Sequence, residues 1–232
     1  MKRIWLLFLV VPLMVFSQSD FERAQQLFKE GKWEPSKVLF EKIIQTNPSN
    51  VKVLEYLGDI AGYQKSWDEA LQYYGKLKRI KPNDADYCFK YGGALGMKAL
   101  EVNKFKALGM IDEVRSNFEK AIQLNPKHIE ARWALIELNL KLPGILGGSE
   151  KKALQYSNEL MQISPVDGYL SRGHIEEHFN RYSKAEQQYK KAISIGNSKK
   201  TYQKLANLYA NKMKSPDKAK SILEEYKKKY DN

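Results

Sequence analysis

Two short motifs in the sequence have residue types and spacings that occur in enzyme active sites. The first, His174-Ile175-Glu176-Glu177-His178, reads H-x-x-E-H, which is the inverted form of a zinc-peptidase motif with two imidazole ligands and a glutamate base. Residues four apart share one face of a helix, so both imidazoles can point the same way. A zinc peptidase also needs a third ligand and a closed cleft. Zinc-dependent hydrolysis through His174, Glu177 and His178 is therefore an alternative hypothesis for this chain.

The second motif, Ser149-Glu150-Lys151-Lys152, reads S-x-x-K, a pattern found in serine acyl-enzymes. Its usual companions, Ser-Asp-Asn and Lys-Thr-Gly, are absent from the sequence, as are the glycine-rich motifs that bind nucleotide phosphates. A serine in front of helix-forming residues is typical of a helix N-cap, so we expect a helix that begins at Glu150. The sequence predicts neither an enzyme nor a bound cofactor.

Composition places the chain among folded proteins. Of its 232 residues 43% are hydrophobic and 28% are charged, and the formal net charge is +12. That apolar content is enough for a substantial core and excludes a wholly disordered chain. The single cysteine, Cys88, excludes an internal disulfide framework and a zinc site of paired cysteines. Because Tyr87 and Phe89 flank it, we expect Cys88 to be buried as a small apolar side chain.

The first residues have the pattern of an export signal. Two basic residues, Lys2 and Arg3, precede Ile4 to Phe16, which contain only apolar side chains and one proline, and small Ser17 follows. This pattern predicts a secretory signal peptide over residues 1–17, cleaved after Ser17. An uncleaved membrane anchor is the alternative, although so short a helix spans roughly 20 Å of a layer about 30 Å thick. After cleavage no transmembrane segment is expected, and the protein is predicted to be periplasmic or secreted.

An internal repeat organises the rest of the chain. Four similar phrases each end in a proline, at Pro48, Pro82, Pro126 and Pro165, and the first two prolines are 34 residues apart. Upstream of the first two phrases, Ser36 and Phe40 have the same spacing as Ala70 and Tyr74. A small residue at the first position lets two helices approach closely, and a proline at the end cannot continue a helix. The period therefore predicts a series of amphipathic helix pairs that stack on one another.

The second repeat carries the most complete version of the pattern, with Leu54-x2-Leu57-Gly58-x2-Ala61 followed by Ala70, Tyr74 and Pro82. This spacing resembles the tetratricopeptide repeat family, and the resemblance extends over nearly all of the predicted mature chain. It implies an all-α, right-handed superhelical solenoid of about six helix-turn-helix repeats over residues 20–232. The predicted repeats are 20–50, 51–84, 85–128, 129–165, 166–198 and 199–232.

Two of these predicted repeats are longer than the 34-residue period. The interval from Pro82 to Pro126 has ten extra residues, and its apolar residues recur with helical spacing. This predicts a lengthened second helix in the third repeat. The fourth repeat has a Gly-rich, apolar hairpin loop at 142–149. Its Pro-Gly-Ile-x-Gly-Gly phrase resembles a group of exported bacterial tetratricopeptide proteins, and this closer resemblance implies a location rather than a function.

The family resemblance also implies where a partner would bind, because the first helix of each pair lines the concave groove. The candidate groove residues are Gln25, Phe28, Lys29, Glu55, Tyr56, Asp59, Tyr63, Phe89, Lys90, Gly93, Met97, Trp133, Glu137, Lys141, Leu170, His174, Glu177 and His178, with Gln203, Asn207 and Asn211 in the last repeat. Aromatic anchors of this kind dominate affinity at interfaces, and acidic neighbours are expected to steer a basic ligand. The Lys/Asn/Arg clamp that some relatives use for chaperone carboxylates is absent from these positions.

The basic charge is concentrated in the last repeat, residues 199–232, which contains ten lysines and four acidic residues. A terminal repeat needs a polar outer surface, so we interpret this charge as a solvated cap. A structural module that self-associates, or attaches to the envelope through this basic end, is a further alternative. Nucleic acid is not an expected partner. The sequence thus favours a non-catalytic protein–protein interaction scaffold of the bacterial cell envelope, which binds another protein or peptide in its groove.

Overall fold

The computed structural model describes residues 20–230, so the predicted signal peptide and its cleavage point lie outside the described residues. Within this range the protein is all-α, with no β-strand, and the predicted helical-repeat solenoid class is confirmed. The chain forms two compact units that divide between Leu124 and Asn125.

The first unit is built from antiparallel helices joined by short turns, and from residue 33 onward each long helix packs against the next long helix along the chain. Its helices are 20–29 (α1), Trp33–Thr46 (α2), Val51–Tyr63 (α3), Trp67–Ile80 (α4), Ala85–Glu101 (α5), Lys104–Leu108 (α6) and Ile111–Leu124 (α7).

The second unit repeats this arrangement. Its helices are Ile129–Lys141 (α8), Glu150–Ile163 (α9), Pro165–His178 (α10), Tyr182–Gly196 (α11), Lys199–Asn207 (α12) and Pro216–Tyr230 (α13). A five-residue π-helical segment, Leu208–Lys212, continues α12. Each helix packs against the next one along the chain, so these helices form three pairs. The first helices of the pairs are α8, α10 and α12, and the second helices are α9, α11 and α13.

Polar side chains fix the points at which several of these helices begin. Asn50 accepts a hydrogen bond from the backbone N–H of Val53 at 3.2 Å, and Ser149 accepts one from Lys152 at 3.2 Å. Such caps satisfy backbone donors that have no partner inside the helix. The prediction that Ser149 is the N-cap of a helix beginning at Glu150 is confirmed. Ser164 caps α10, which begins with Pro165 as its first residue because a proline at that position loses no helical hydrogen bond.

The turns inside four helix pairs share one backbone conformation. Gly31, Lys65, Asn180 and Lys214 all have positive φ, at 72°, 59°, 58° and 53°. They recur at the same place between the first and second helix of each pair, and Lys65 and Lys214 follow Gly31 and Asn180 by one repeat period. Glycine and asparagine adopt this left-handed conformation readily, whereas lysine does so at some cost. The geometry of the turn is therefore kept even where the residue type is unfavourable.

Glycines in the first helices make room for tyrosines of the second helices. A Cβ atom on Gly58 would lie 2.5 Å from Cε1 of Tyr74, and one on Gly173 would lie 2.4 Å from Cε1 of Tyr189. The Tyr74 and Tyr189 rings therefore fill the space beside these two glycines. At the equivalent place in the first pair the close approach is made by Ser36, whose hydroxyl donates to the carbonyl oxygen of Ala24 at 2.8 Å.

Apolar side chains collect in separate clusters along the chain. In the first unit one cluster centres on Phe40 and Leu57, and a second centres on Tyr74 and Leu77. In the second unit one cluster joins α8, α9 and α10, and another extends from Leu170 into α13. Each helix pair contributes to a cluster with its neighbour, as expected for repeats that cannot bury an apolar face alone. Cys88 is buried, as predicted, and burial raises the pKa of its thiol.

The extra residues of the third predicted repeat do not lengthen its second helix, and that prediction was wrong. Instead the first helix, α5, is extended to 17 residues, and a separate helix of five residues, α6, follows it. The second helix, α7, has an ordinary length of 14 residues. The break has a local cause, because Asn103 accepts a hydrogen bond from the backbone N–H of Lys106 and starts a new helix there.

The Gly-rich loop in the second unit is a compact turn. Residues Gly144–Leu146 form one 3₁₀ turn, and Gly147 follows with φ at 83°. A Cβ atom on Gly148 would lie 1.7 Å from the carbonyl oxygen of Leu142, so no other residue fits at this position. Ile145, at the tip, is 93% exposed. Among residues 20–230, none of the helices has both the length and the apolar character to cross a membrane.

The glycine–tyrosine contact generates a stability prediction. Gly58→Ala should destabilise the protein by about 1–2 kcal/mol, because overpacking against the Tyr74 ring outweighs the better helix propensity of alanine. Gly62 lies in the same helix, and a Cβ atom there would have its nearest neighbour at 3.8 Å, so Gly62→Ala should be neutral or stabilising. Urea unfolding of both variants tests this, and equal stability of the two would contradict the packing argument.

Candidate functional site

In the first unit, two of the predicted groove tyrosines belong to one aromatic cluster on α1, α2 and α3. The rings of Trp33 and Tyr63 stack with centroids 4.5 Å apart and an angle of 16° between their planes. Phe28 packs against the edge of Trp33 at 5.2 Å and lies 6.0 Å from Tyr63. Tyr63 is 61% exposed, so this stack presents a flat aromatic surface to solvent.

Tyr56 has a different environment from the one predicted for a binding residue. Its ring stacks on the buried ring of Phe40 at 4.8 Å with planes 6° apart, and its hydroxyl accepts a hydrogen bond from the side-chain amide of Gln25 at 2.8 Å. Phe28 and Phe21 pack against it as well. Tyr56 therefore joins α1, α2 and α3 to one another and supports the exposed aromatic surface from below.

The acidic groove residues of the first unit are paired with a lysine of the next first helix. The ammonium group of Lys90 lies 2.8 Å from the Glu55 carboxylate and 2.7 Å from the Asp59 carboxylate. Asp59 also accepts a hydrogen bond from the Tyr74 hydroxyl at 2.7 Å. Although burial alone would lower it, the hydrogen bonds to Asp59 and Glu55 raise the pKa of Lys90. Burial, reinforced by the negative charge of Asp59, raises the pKa of Tyr74.

These pairs change the electrostatic prediction for the groove. The sequence predicted acidic groove residues that would steer a basic ligand, but Lys90, another predicted groove residue, offsets much of the charge of Glu55 and Asp59. Farther along α5, Phe89 is half-buried and lies 5.8 Å from the ring of Phe118. A Cβ atom on Gly93 would meet nothing within 4 Å. The groove face of α5 is therefore open at Gly93 and closed by aromatic packing at Phe89.

In the second unit, the first helices α8, α10 and α12 border an open cavity of about 320 Å³. Its lining residues are Glu130, Trp133, Glu137, Leu170, His174, Lys200 and Lys204. Four of the predicted groove residues, Trp133, Glu137, Leu170 and His174, thus lie together. Trp133 is half-buried, and its indole N–H donates to the carboxylate of Asp167 at 3.1 Å.

A short contact joins two of these residues. Nε2 of His174 lies 2.6 Å from Oε1 of Glu137, and the ring of His174 lies 6.2 Å from that of Trp133. The hydrogen bond with His174 lowers the pKa of Glu137 below its ordinary value of 4.5, against the opposing effect of burial. Lys141 and Lys204 also lower it through their positive charge. This acidic residue, like those of the first unit, is compensated by neighbouring cations.

The H-x-x-E-H segment lies on α10, but its three functional residues have separate partners. His174 contacts Glu137, Glu177 accepts a hydrogen bond from the Tyr189 hydroxyl at 2.8 Å, and His178 packs edge-on against Phe179 with centroids 4.9 Å apart. Residues 20–230 contain no group of three or more His, Cys, Asp or Glu side chains placed to hold a metal ion. Nothing in this arrangement supports the zinc-hydrolase alternative.

Sequence reasoning missed Lys200 and Lys204 and named Gln203 and Asn207 of the same helix instead. In α12 the residues Thr201, Tyr202, Leu205 and Ala206 are buried, which leaves positions 200 and 204 to face the cavity. The buried pattern of this helix is readable from the sequence as an apolar stripe, and it would have given the correct helical phase.

The last helix covers the apolar side of α12. Its residues Ala219, Ile222 and Tyr226 belong to the cluster around Tyr202 and Leu205, and Glu225 accepts a hydrogen bond from the Tyr202 hydroxyl at 3.1 Å. Lys227, Lys228 and Lys229 are exposed. Helix α13 thus has one apolar face, which packs against α12, and one polar face.

Comparison with known proteins identifies the repeat. Sequence models described as tetratricopeptide repeat match residues 166–196 and 198–232, and one described as plant specific mitochondrial import receptor subunit TOM20 matches residues 66–155. A thermophilic TPR protein of Thermus thermophilus has a similar structure, with a TM-score of 0.63, 16% identity and coverage of 89% of this chain and 98% of that one. This chain is a tetratricopeptide repeat protein.

Two curated relatives resemble this tetratricopeptide repeat protein over most of its length. Protein O-mannosyl-transferase TMTC3 of Mus musculus is 24% identical over 181 residues, which are 73% of this chain and 19% of the relative. A TPR repeat-containing protein of Methanocaldococcus jannaschii is 28% identical over 174 residues, or 68% of this chain and 29% of the relative. The chain thus matches less than a third of either relative.

The contact between His174 and Glu137 gives this tetratricopeptide repeat protein a predictable pH dependence. Because the folded protein lowers the pKa of Glu137, the stabilisation is complete above the ordinary value of 4.5 and is lost as the pH falls through the lowered value. Glu137 is 38% exposed, so screening by solvent limits the effect to about 1 kcal/mol.

Glu137→Gln should therefore destabilise the protein by this amount at pH 6 and by progressively less below pH 4.5, as measured by urea unfolding across the pH range. The matched control is Glu130→Gln, which changes another carboxylate of the same cavity that is not bonded to His174. A difference between wild type and Glu137→Gln that stays constant with pH would show that the charge of Glu137 is not the cause.

Proposed function

We propose that this protein is a non-catalytic scaffold of the bacterial cell envelope that holds a segment of another protein against the first helices of its repeats. The fold is that of a protein–protein interaction scaffold, and tetratricopeptide repeat proteins bind other proteins or peptides. The observation that carries the proposal is the open cavity on α8, α10 and α12. It combines the half-buried Trp133 with side chains of both charges.

The chemistry of this cavity suits a peptide segment. Trp133 and Leu170 supply an apolar surface, and Glu130 and Glu137 face Lys200 and Lys204 around it. Its volume of about 320 Å³ lies at the lower end of the range for ligand sites, which is room for one large apolar side chain of a bound segment. Charges of both signs at the rim then favour a partner in which that side chain has charged neighbours.

The site is held in place by contacts between successive first helices. Asp167 of α10 holds the indole of Trp133, and His174 of the same helix holds Glu137. Side chains that are already fixed lose little conformational entropy when a partner binds, so more of the contact energy becomes affinity. The stacked rings of Trp33 and Tyr63 offer the first unit an aromatic anchor of its own.

A position-specific crosslinking experiment tests the proposed site. A photo-crosslinking amino acid at position 204, beside Trp133, should capture a partner in intact cells, whereas the same group at position 151 on α9 should not. Mass spectrometry of the crosslinked product identifies the partner, and a peptide from its crosslinked segment is then titrated against the purified protein.

The titration compares two tryptophan variants. Trp133→Ala should weaken binding of that peptide by at least tenfold, as expected for a central aromatic anchor. Trp67→Ala is the matched control, because Trp67 is also half-buried and its indole N–H also donates to a carboxylate, that of Glu101 at 2.7 Å, but it lies on a second helix. Equal affinity of the two variants, or crosslinking at 151 as strong as at 204, would place the binding site elsewhere.

The envelope location is a proposal that comes from the predicted signal peptide. If residues 1–17 are removed on export, N-terminal sequencing of the protein recovered from the periplasm or medium of a producing bacterium should begin at Gln18. Replacing Leu7 and Leu9 by Arg should interrupt the apolar run and leave the precursor inside the cell. A full-length chain that fractionates with membranes in both forms would favour the uncleaved anchor, and a soluble internal protein in both forms would contradict export.

A further inference from the structure

Four large apolar side chains are exposed at one place in the first unit, where α5 ends and α6 follows. We define this apolar corner by Met97, Leu100, Phe105 and Leu108. Phe105 is 87% exposed, Leu100 is 68% exposed, and Met97 and Leu108 are each 42% exposed. Single exposed apolar residues are ordinary, but several large ones within twelve consecutive positions indicate a contact surface.

The apolar corner has no role in the core of its own unit. Helix α6 contains no buried residue, and it belongs to the ten residues by which this repeat exceeds the period. The preceding pair, α3 and α4, completes its hairpin without such an insertion. The stacking of the repeats therefore does not explain why these four side chains are apolar.

Two lysines flank the most exposed residue of the apolar corner in sequence. Within residues 97–108 there are three lysines, Lys98, Lys104 and Lys106, and one acidic residue, Glu101. Glu101 accepts a hydrogen bond from the indole of Trp67, and Lys98 pairs with Asp68. Lys104 and Lys106 flank Phe105 directly, and neither ammonium group has an ion pair within the described part of the chain.

We propose that the apolar corner inserts into the interfacial layer of a lipid bilayer that contains anionic lipids. Phe105 and Leu100 would lie among the upper acyl chains, while Lys104 and Lys106 extend along the surface to the phosphate groups. Anionic lipids attract lysines near the surface, and burial of an aromatic and an aliphatic side chain adds an apolar contribution. The whole chain is also positively charged, at +12, so the approach to an anionic surface is favourable.

A bilayer fits this feature better than a protein partner does. A stable protein interface requires roughly 800 Å² on each side, with a closely packed apolar centre. The apolar corner instead consists of a few side chains at the end of a helix and on a five-residue helix, with the most exposed one between two lysines. That pattern is typical of shallow insertion at a membrane surface. The proposal is independent of the cavity at Trp133 and goes beyond the proposed scaffold function.

The buried cysteine makes a position-specific test possible. In a Cys88→Ala background, Phe105→Cys and Ile145→Cys each place one accessible thiol for a fluorophore that brightens in an apolar medium. Ile145 is the matched control, because it is 93% exposed but has no charged residue within three positions. The full chain is used in both cases, so any contribution of the apolar N-terminal residues to vesicle binding is common to both.

Vesicles of phosphatidylcholine with phosphatidylglycerol should raise the emission of the label at 105 at least threefold, and brominated lipids should quench it. The label at 145 should not change, and vesicles of phosphatidylcholine alone should have little effect at either position. Adding Lys104→Gln and Lys106→Gln should weaken the response at 105 by roughly fivefold for each lysine at low salt.

Three results would overturn the proposal. The first is an equal response at 105 and 145, and the second is no response at 105 although the protein binds the vesicles. The third is an emission change at 105 that depends on protein concentration without lipid, which would show that a second copy of the chain covers the apolar corner. None of these outcomes depends on Trp133, so failure here and failure of the scaffold proposal are distinguishable.

Discussion

The close approach of two helices at a glycine is the contact on which the rest of this structure depends. Tyr74 and Tyr189 each lie over a glycine of the preceding helix, and their hydroxyl groups donate to Asp59 and Glu177. Each tyrosine ring fills the space that a side chain in place of the glycine would occupy. The tyrosine hydroxyl reaches a carboxylate on the first helix of the pair. One residue thus fixes the distance between two helices and the position of a carboxylate beside the groove.

The candidate site follows from this arrangement because its residues lie on successive first helices about one period apart. Glu55 and Lys90 pair across α3 and α5, and His174 and Glu137 pair across α10 and α8. Such pairs are partly exposed, and each contributes little to stability alone. They do, however, orient side chains of the first helices, and the cations offset the charge of Glu55, Asp59 and Glu137.

The fold was largely predictable from sequence, because a repeat supplies the same evidence several times. The cap at Ser149, the buried Cys88 and the first-helix position of His174 were all predicted from residue type and spacing. Local features that depart from the repeat were harder to predict. The break at Asn103 depends on one side-chain cap inside a sequence with helical rhythm, and the same rhythm suits either one long helix or two short ones.

The site was less predictable than the fold, because exposure and partners are decided by neighbours distant in sequence. Tyr56 and Tyr63 are seven residues apart on one helix, yet Tyr56 stacks on Phe40 and Tyr63 is open to solvent. Nothing in the sequence near either tyrosine distinguishes them. Lys200 and Lys204 were missed for another reason, since an error of one position in helical phase moves every side chain by a quarter of a turn.

The separate apolar clusters have a consequence for how the protein loses its structure. Because the buried apolar side chains of residues 20–230 lie in separate clusters, the helices of one cluster can open while those of another stay packed. Helix α13 can separate from α12 while the cluster around Leu77 keeps its packing. If a partner binds to α8, α10 and α12 as we propose, it should protect those three helices from opening, and amide exchange should slow there.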